Sequence, residues 1–323
     1  MKAIVIGTGS IGFRHLSVLR NGGQSVAALP KRPERGAQLQ QLGFTVAGSL
    51  DEAASQGVRR AIIATDTRLH EVDTLDTLRC GMDALVEKPL TSTLAEARRI
   101  QVAAQAGRGR VFVGCTLRFS ESLRKFRSWL PRLGALHAVR IECQSYLPDW
   151  RPDRPYRESY SARAEEGGVL RDVIHEIDYA GWLFGWPHRL QATLRNLGRL
   201  EIGAEEIADL FWVTSAGVSV SLCLDYISRP PCRRMTARGE HGTLEWDAMR
   251  SRVGLTTTAE SDEFVSAQTR DEMVLAQDLA FLAAGDDPHL ATLEDAVRAV
   301  AICEAARGAS ESRREEPVPH FES

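Results

Sequence analysis

The chain has 323 residues, 43% of them hydrophobic and 26% charged, with a formal net charge of −3. That length exceeds one ordinary core and predicts two domains. The near-neutral balance excludes a broad electrostatic pull toward nucleic acid or a membrane surface, and no apolar run approaches membrane-spanning length.

The first third alternates strand and helix signals. Strands are predicted at 2–6, 25–29, 59–65, 83–88 and 110–116, with helical patterns at 11–20, 68–80 and 94–105 between them. Apolar strands at that spacing read as βαβ units on a parallel sheet. From about residue 135 the texture changes to longer alternating runs at 135–147, 189–199, 206–214, 217–227 and 232–238. A Pro- and Arg-rich loop (148–168) and one helix over 169–184 interrupt them, and helices near 270–284 and 292–307 precede a polar tail expected to be partly loose. The fold expected is α/β. A doubly wound parallel Rossmann sheet spans 1–119, and an α+β domain spans 120–323, built on an open, mostly antiparallel sheet with helices on one face.

The six cysteines (Cys80, Cys115, Cys143, Cys223, Cys232, Cys303) have neither C-x-x-C pairing nor metal-ligand spacing. Free thiols in a reducing cytoplasm are expected. The start "MKAIVIGTGSIG" enters a strand at once and does not read as a signal peptide. His15, His137, His188 and His241 have no partners at ligand spacing, so no metal site is expected.

"GTGSIG" matches G-x-G-x-x-G directly after a strand and at a helix start, the context a dinucleotide-binding loop needs. Gly7 would make the tight turn, Gly9 admit a pyrophosphate, and Gly12 pack helix on strand. Ser10 and Ile11 open the helix whose N-terminal amides would face the phosphates. The second strand runs into Lys31 and Arg32 with no carboxylate before Glu34. Basic residues there suit a 2′-phosphate, so NADP is expected, with NAD the alternative and a solvated basic turn the plain reading.

The stretch "ALVEKPL" ends a buried strand in Glu87, Lys88 and Pro89. An ammonium at that edge can serve both cofactor and substrate hydroxyl, and Glu87 can hold the lysine or reach the nicotinamide ribose. A strand-end ion pair fits the spacing equally well. Asp172, His175 and Tyr179 fall along one stripe of the 169–184 helix, with His175 suited to take a hydroxyl proton. Spacing alone favours a helix cap and a core histidine there.

"GTGSIGFRHL", "LHEVDTLDTLRCGMDALVEKPL" and "EEGGVLRDVIHEIDYAGWLFG" together resemble the glucose–fructose oxidoreductase/inositol dehydrogenase (Gfo/Idh/MocA) family. The resemblance implies a nicotinamide cofactor, a sugar, cyclitol or sugar-nucleotide substrate, and a homo-oligomer through the open sheet. It assigns Lys88, Asp172 and His175 to catalysis, and Thr65 and His70 to the nicotinamide side. The spacing Asp172-x-x-His175 is one residue shorter than the family's usual pattern. Arg118 is expected to face the cleft. The loop 148–168 further resembles a subgroup associated with bacterial surface-sugar biosynthesis. Tyr146, Trp150, Arg157 and Tyr160 in and beside it suit an anionic sugar, or an arm on a neighbouring subunit. Alternatives within the same resemblance are redox-neutral chemistry on a retained cofactor and a cofactor-binding regulator.

Overall fold

The computed structural model describes residues 2–107, 109–283 and 285–319. The chain forms β1 (Ala3–Ile6), α1 (Ser10–Asn21), β2 (Val26–Leu29), α2 (Pro33–Gln41), β3 (Thr45–Val46), α3 (Leu50–Ser55), β4 (Arg60–Ile63), α4 (Thr67–Arg79), β5 (Asp83–Glu87), α5 (Leu94–Ala106) and β6 (Val111–Gly114). It continues with α6 (Glu121–Trp129), β7 (Leu136–Tyr146), α7 (Val169–Asp172), α8 (His175–Phe184), β8 (Arg189–Arg195), β9 (Ile207–Val213), β10 (Ser219–Asp225) and β11 (Ile227–Gly239). Then come β12 (Gly242–Asp247), β13 (Arg252–Thr257), β14 (Ser261–Val265), α9 (Arg270–Leu282), β15 (Ala291–Thr292), α10 (Leu293–Ser312) and β16 (Glu316–Pro317).

Two compact units result: residues 1–119 with 269–300, and residues 120–268 with 301–323. The first holds a seven-stranded sheet in the order β15-β6-β5-β4-β1-β2-β3. Strands β1 to β6 pair in parallel, and β15 adds one antiparallel edge against β6. β1 and β5 are buried along their whole length, which is why both read as unbroken apolar runs.

Assigning 269–300 to the second domain is corrected by packing. α9 lies against α1, and Phe281 meets Phe112 of β6 edge to face at 6.1 Å. α9 is started by a capping box, Thr269 and Glu272 each bonding the other's backbone amide. Nothing local distinguishes it from a second-domain helix; only its buried face does. Its expected end at 284 falls outside the described residues, and the helix stops at Leu282.

The second unit is built on a nine-stranded sheet ordered β14-β13-β12-β11-β7-β10-β9-β8-β16. All its pairings are antiparallel except β7 with β10. Burial alternates along β8 and β9, so one face of the sheet carries the core and the other stays open. The extra strands β13 and β14 lie in a polar stretch, "SRVGLTTTAESDEFV", whose alternation is too weak to announce them. Residues 316–317, expected to be loose, pair instead with β8, while the end of that tail, 320–323, lies outside the described residues.

The helix predicted over 169–184 is broken. Val173 (φ −103°, ψ 34°) leaves helical geometry, so Asp172 closes α7 and His175 opens α8. The stripe expected to join Asp172, His175 and Tyr179 is therefore interrupted between Asp172 and His175, while His175 and Tyr179, four apart on α8, keep one face. Tyr179 is fully buried, its hydroxyl on Glu176 and its ring against Trp246.

Candidate active site

In the first unit, the turn from β1 into α1 is set by steric necessity. Gly7 has φ +80°, and a Cβ there would stand 2.6 Å from the Thr65 side chain. A Cβ on Gly12 would meet the Gly7 carbonyl oxygen at 2.0 Å, so the helix presses directly on the loop. Gly9 differs: a Cβ there would find nothing within 4 Å. It precedes a helix with no side-chain cap, so the amides around Ser10 and Ile11 are left for another acceptor. Glycine at 7 and 12 is demanded by the fold. At 9 the space suits a ligand, and a dinucleotide pyrophosphate fits it.

At the end of β2, Lys31 and Arg32 are exposed and line a groove of about 400 Å³ with Leu29, Pro30, Gly36 and Gly48 and no carboxylate. Lys31 reaches back to Asp73 on α4, which also accepts from the Thr65 hydroxyl at 2.8 Å. Thr65 is thus half-buried and already oriented. His70 is buried, with Nδ1 2.9 Å from the Pro89 carbonyl and Nε2 3.0 Å from the Thr65 carbonyl. Its ring joins the loops after β4 and β5 at the sheet's carboxyl edge, the side on which it was expected to line a nicotinamide.

Lys88 follows β5 at that same edge, half-buried, ahead of a cis peptide bond to Pro89. Glu87 points the other way. Its carboxylate lies against Gly114 of β6, where a Cβ would come within 2.7 Å, and it meets His15 Nε2 at 3.1 Å. His15 Nδ1 in turn sits 2.7 Å from Asp278 on α9. Glu87, read as a ligand of the lysine or the nicotinamide ribose, gives one oxygen to His15, a histidine read only as lacking partners at metal-ligand spacing. No local pattern signals a partner 263 residues away.

Arg118 is also reassigned. It is 1% exposed and pairs with Asp295 at 3.0 Å inside the first unit, so it does not present itself to a ligand.

In the second unit, Gly167 and Gly168 shape the entry to α7. A Cβ on Gly167 would collide with the Tyr160 carbonyl at 2.2 Å, and Gly168 (φ +92°) leaves room for the Glu205 carboxylate at 2.1 Å. Glu205 accepts from the Leu170 amide and holds Arg307 with both oxygens. The close approach brings Tyr160 to Asp172, and Tyr226, just after β10, donates its hydroxyl to the same carboxylate. Burial and the Asp172 charge push both phenols well above the ordinary tyrosine value. Trp150 stands edge-on to Tyr226, ring centroids 5.4 Å apart. A buried carboxylate flanked by two phenols, one of them with an indole edge-on, and with half-buried His175 three residues on, is a chemically competent half-site. Tyr226 escaped the sequence reading because it looks like any strand-end aromatic.

Other side chains of the loop bond within the second unit. Arg157 donates to the Leu200 carbonyl and pairs with Glu201, and Tyr156 bonds the same carbonyl. Tyr146 lies under the Arg229 guanidinium at 3.5 Å, and Arg229 also reaches Asp149. Arg157 and Tyr146 are therefore engaged by their own unit. Among the described residues no cluster of His, Cys, Asp or Glu is arranged to hold a metal, and no helix is long and apolar enough to cross a membrane.

A parallel sheet with an open glycine loop, joined in one chain to an antiparallel sheet bearing an acid–base cluster, defines a dinucleotide-binding two-unit protein. Residues 1–115 match the oxidoreductase family with an NAD-binding Rossmann fold, and residues 131–245 match the GFO/IDH/MocA C-terminal domain; the chain belongs to the GFO/IDH/MocA family. It is 26% identical over 319 residues to the rhizopine catabolism protein MocA of Rhizobium meliloti, covering 94% of this chain and 92% of that one. It is 29% identical to the 1,5-anhydro-D-fructose reductase of Ensifer adhaerens over 50% of this chain and 49% of that one. The chain spans about half the length of the first curated relatives it matches. In fold it is similar to the WlbA dehydrogenase from Bordetella pertussis in complex with NADH and UDP-GlcNAcA (TM-score 0.82, 17% identity, 99% and 98% coverage). It is also similar to levoglucosan dehydrogenase in complex with NADH and levoglucosan (TM-score 0.88, 15% identity, 99% and 100% coverage).

Proposed function

We propose that this protein is a nicotinamide-dependent dehydrogenase acting on a secondary alcohol of a sugar-like substrate. The observation that carries the reading is the uncapped start of α1 with open space over Gly9, on the same sheet edge as Lys88. When bound, the dinucleotide supplies the hydride acceptor. The amides at Ser10 and Ile11 hold its phosphates, and Thr65, oriented by Asp73, lines its nicotinamide side. Lys88 offers an ammonium to the substrate oxygen as negative charge develops. His175 takes the hydroxyl proton. Asp172, held by Tyr226 and Tyr160, accepts a hydrogen bond from a neighbouring hydroxyl and fixes the ring's orientation.

Three finer assignments belong to the same proposal. NADP is preferred over NAD, because Lys31 and Arg32 line the groove at the end of β2 and no carboxylate does. The substrate is a sugar, sugar nucleotide or cyclitol, with Trp150 and Tyr160 as its stacking faces. Should it carry an anion, Arg151, near enough to Tyr160 to act on its phenol, replaces Arg157 as its contact. The open face of the second unit's sheet pairs copies of the chain, and six cysteines outside any disulfide suit a reducing cytoplasm.

The test is a panel of sugars, sugar acids and nucleotide sugars with NAD or NADP, followed at 340 nm. Reduction of the cofactor that disappears in Lys88→Ala and falls at least about a hundredfold in His175→Ala supports the reading. Tightly held cofactor that is never released in reduced form, with any sugar, points to redox-neutral chemistry instead.

A further inference from the structure

Beneath Lys88 the first unit buries three ionisable groups in a row. Asp278 meets His15 Nδ1 with both oxygens, at 2.7 and 3.0 Å, and Glu87 meets Nε2 at 3.1 Å. His15 and Asp278 are 0% exposed and Glu87 is 9%. Each member comes from a different element: α1, whose start faces the phosphate space, β5, whose end carries Lys88, and α9. A neutral imidazole donates from one nitrogen only, and here both nitrogens face carboxylate oxygens. With both carboxyls ionised, the two contacts are satisfied together only when the ring carries both protons.

We infer that His15 and Asp278 are positioning residues, a charged imidazolium clamp that locks the end of β5, and with it Lys88, to the phosphate-binding helix. The inference rests on the reading of Lys88 as a group that serves the substrate oxygen. Charge this deep needs a counter-charge, so loss of either carboxylate weakens the clamp and lowers the pH at which the ring gives up its proton. Burial works against the charge on His15, but the charges and hydrogen bonds of Asp278 and Glu87 outweigh it and raise its pKa to about 10. Glu87 is opposed by burial and held below the ordinary carboxylate value by His15, Lys88 and His70. Gln277, buried beside Asp278 on α9, is uncharged and adds no counter-charge to the set. Among the described residues, Glu87, Asp278, Lys88 and His70 are the charged and titratable groups whose influence on the clamp is seen. Asp278 comes from far along the chain, which gives α9 a reason to belong to the first unit beyond its apolar face.

The clamp makes a prediction that simple packing does not. With Asp278→Asn, His15 retains one carboxylate and should titrate within the neutral range. Imidazole NMR of the unaltered protein, with His15→Gln giving the assignment, should show His15 doubly protonated from pH 6 to pH 9. Amide exchange of residues 84–88 in Asp278→Asn, relative to the unaltered protein, should accelerate about tenfold at pH 8 and little at pH 5.5, where the imidazolium persists. Asp278→Glu should restore protection. Once a substrate is in hand, Asp278→Asn should lower kcat about tenfold with KM and cofactor affinity changed less than threefold. A His15 ring that is neutral by pH 8 in the unaltered protein, or an exchange ratio equal at both pH values, overturns the clamp. Neither readout uses turnover, so an absence of dehydrogenase activity would sink the proposed function while leaving the clamp separately decided.

Discussion

Alanine at position 9 and alanine at position 12 should part company. Gly9→Ala adds a methyl to open space, so thermal stability should hold while fluorescence titration shows NADH binding weakened at least about tenfold. Gly12→Ala drives a methyl into the Gly7 carbonyl at 2.0 Å and should lower the melting temperature as well. The same logic separates polar residues that serve a ligand from those that serve the fold. Tyr226→Phe removes only the hydroxyl that Asp172 accepts. It should lower turnover about ten- to a hundredfold with the melting temperature within a few degrees. Arg118→Ala strands Asp295 beside a buried vacancy and should cost about 3 kcal/mol or more in denaturant unfolding. Unchanged stability with a raised KM would return Arg118 to the substrate.

At the scale of elements, two features place the chemistry. α9 is a core helix of the first unit, with Phe281 fully buried against Phe112. Phe281→Ala should destabilise that unit by about 3–5 kcal/mol, and the loss should appear in calorimetry and in dinucleotide binding together. A calorimetric loss without any loss of binding would detach α9 from the cofactor half. The broken α7–α8 segment is the second feature. Had the helix run on, Asp172 and His175 would share one face; the break at Val173 lets Asp172 close one short helix and His175 begin the next. The break was not legible in "VLRDVIHEID", since no glycine or proline marks it. What sets it is the packing of Gly167, Gly168 and Glu205 on the first turn.

For the whole molecule, the clamp sets a pH signature. His15 has a folded pKa of about 10 against 6.5 unfolded, so its contribution is complete below pH 6.5 and is lost as pH rises toward 10. The melting temperature should therefore decline between pH 7 and 10, and His15→Gln, less stable at neutral pH, should show a flatter decline. Glu87, held low, contributes above its unfolded value of 4.5 and loses this as pH falls, whereas Asp278, raised by burial, opposes it. The alkaline limb is the clean readout. In sequence, the glycine loop, the parallel-then-antiparallel order of strands and the place of Lys88 at a strand end were all legible. Each depends on neighbours within a few residues: a turn needs its glycine, and a buried strand needs its apolar run. The partners of Glu87, Arg118 and Arg157, the loan of α9 to the first unit and the pairing of Tyr226 with Asp172 were decided only by tertiary structure. A buried charge must find its counter-charge wherever the fold delivers one, and that distance along the chain leaves no trace in local pattern.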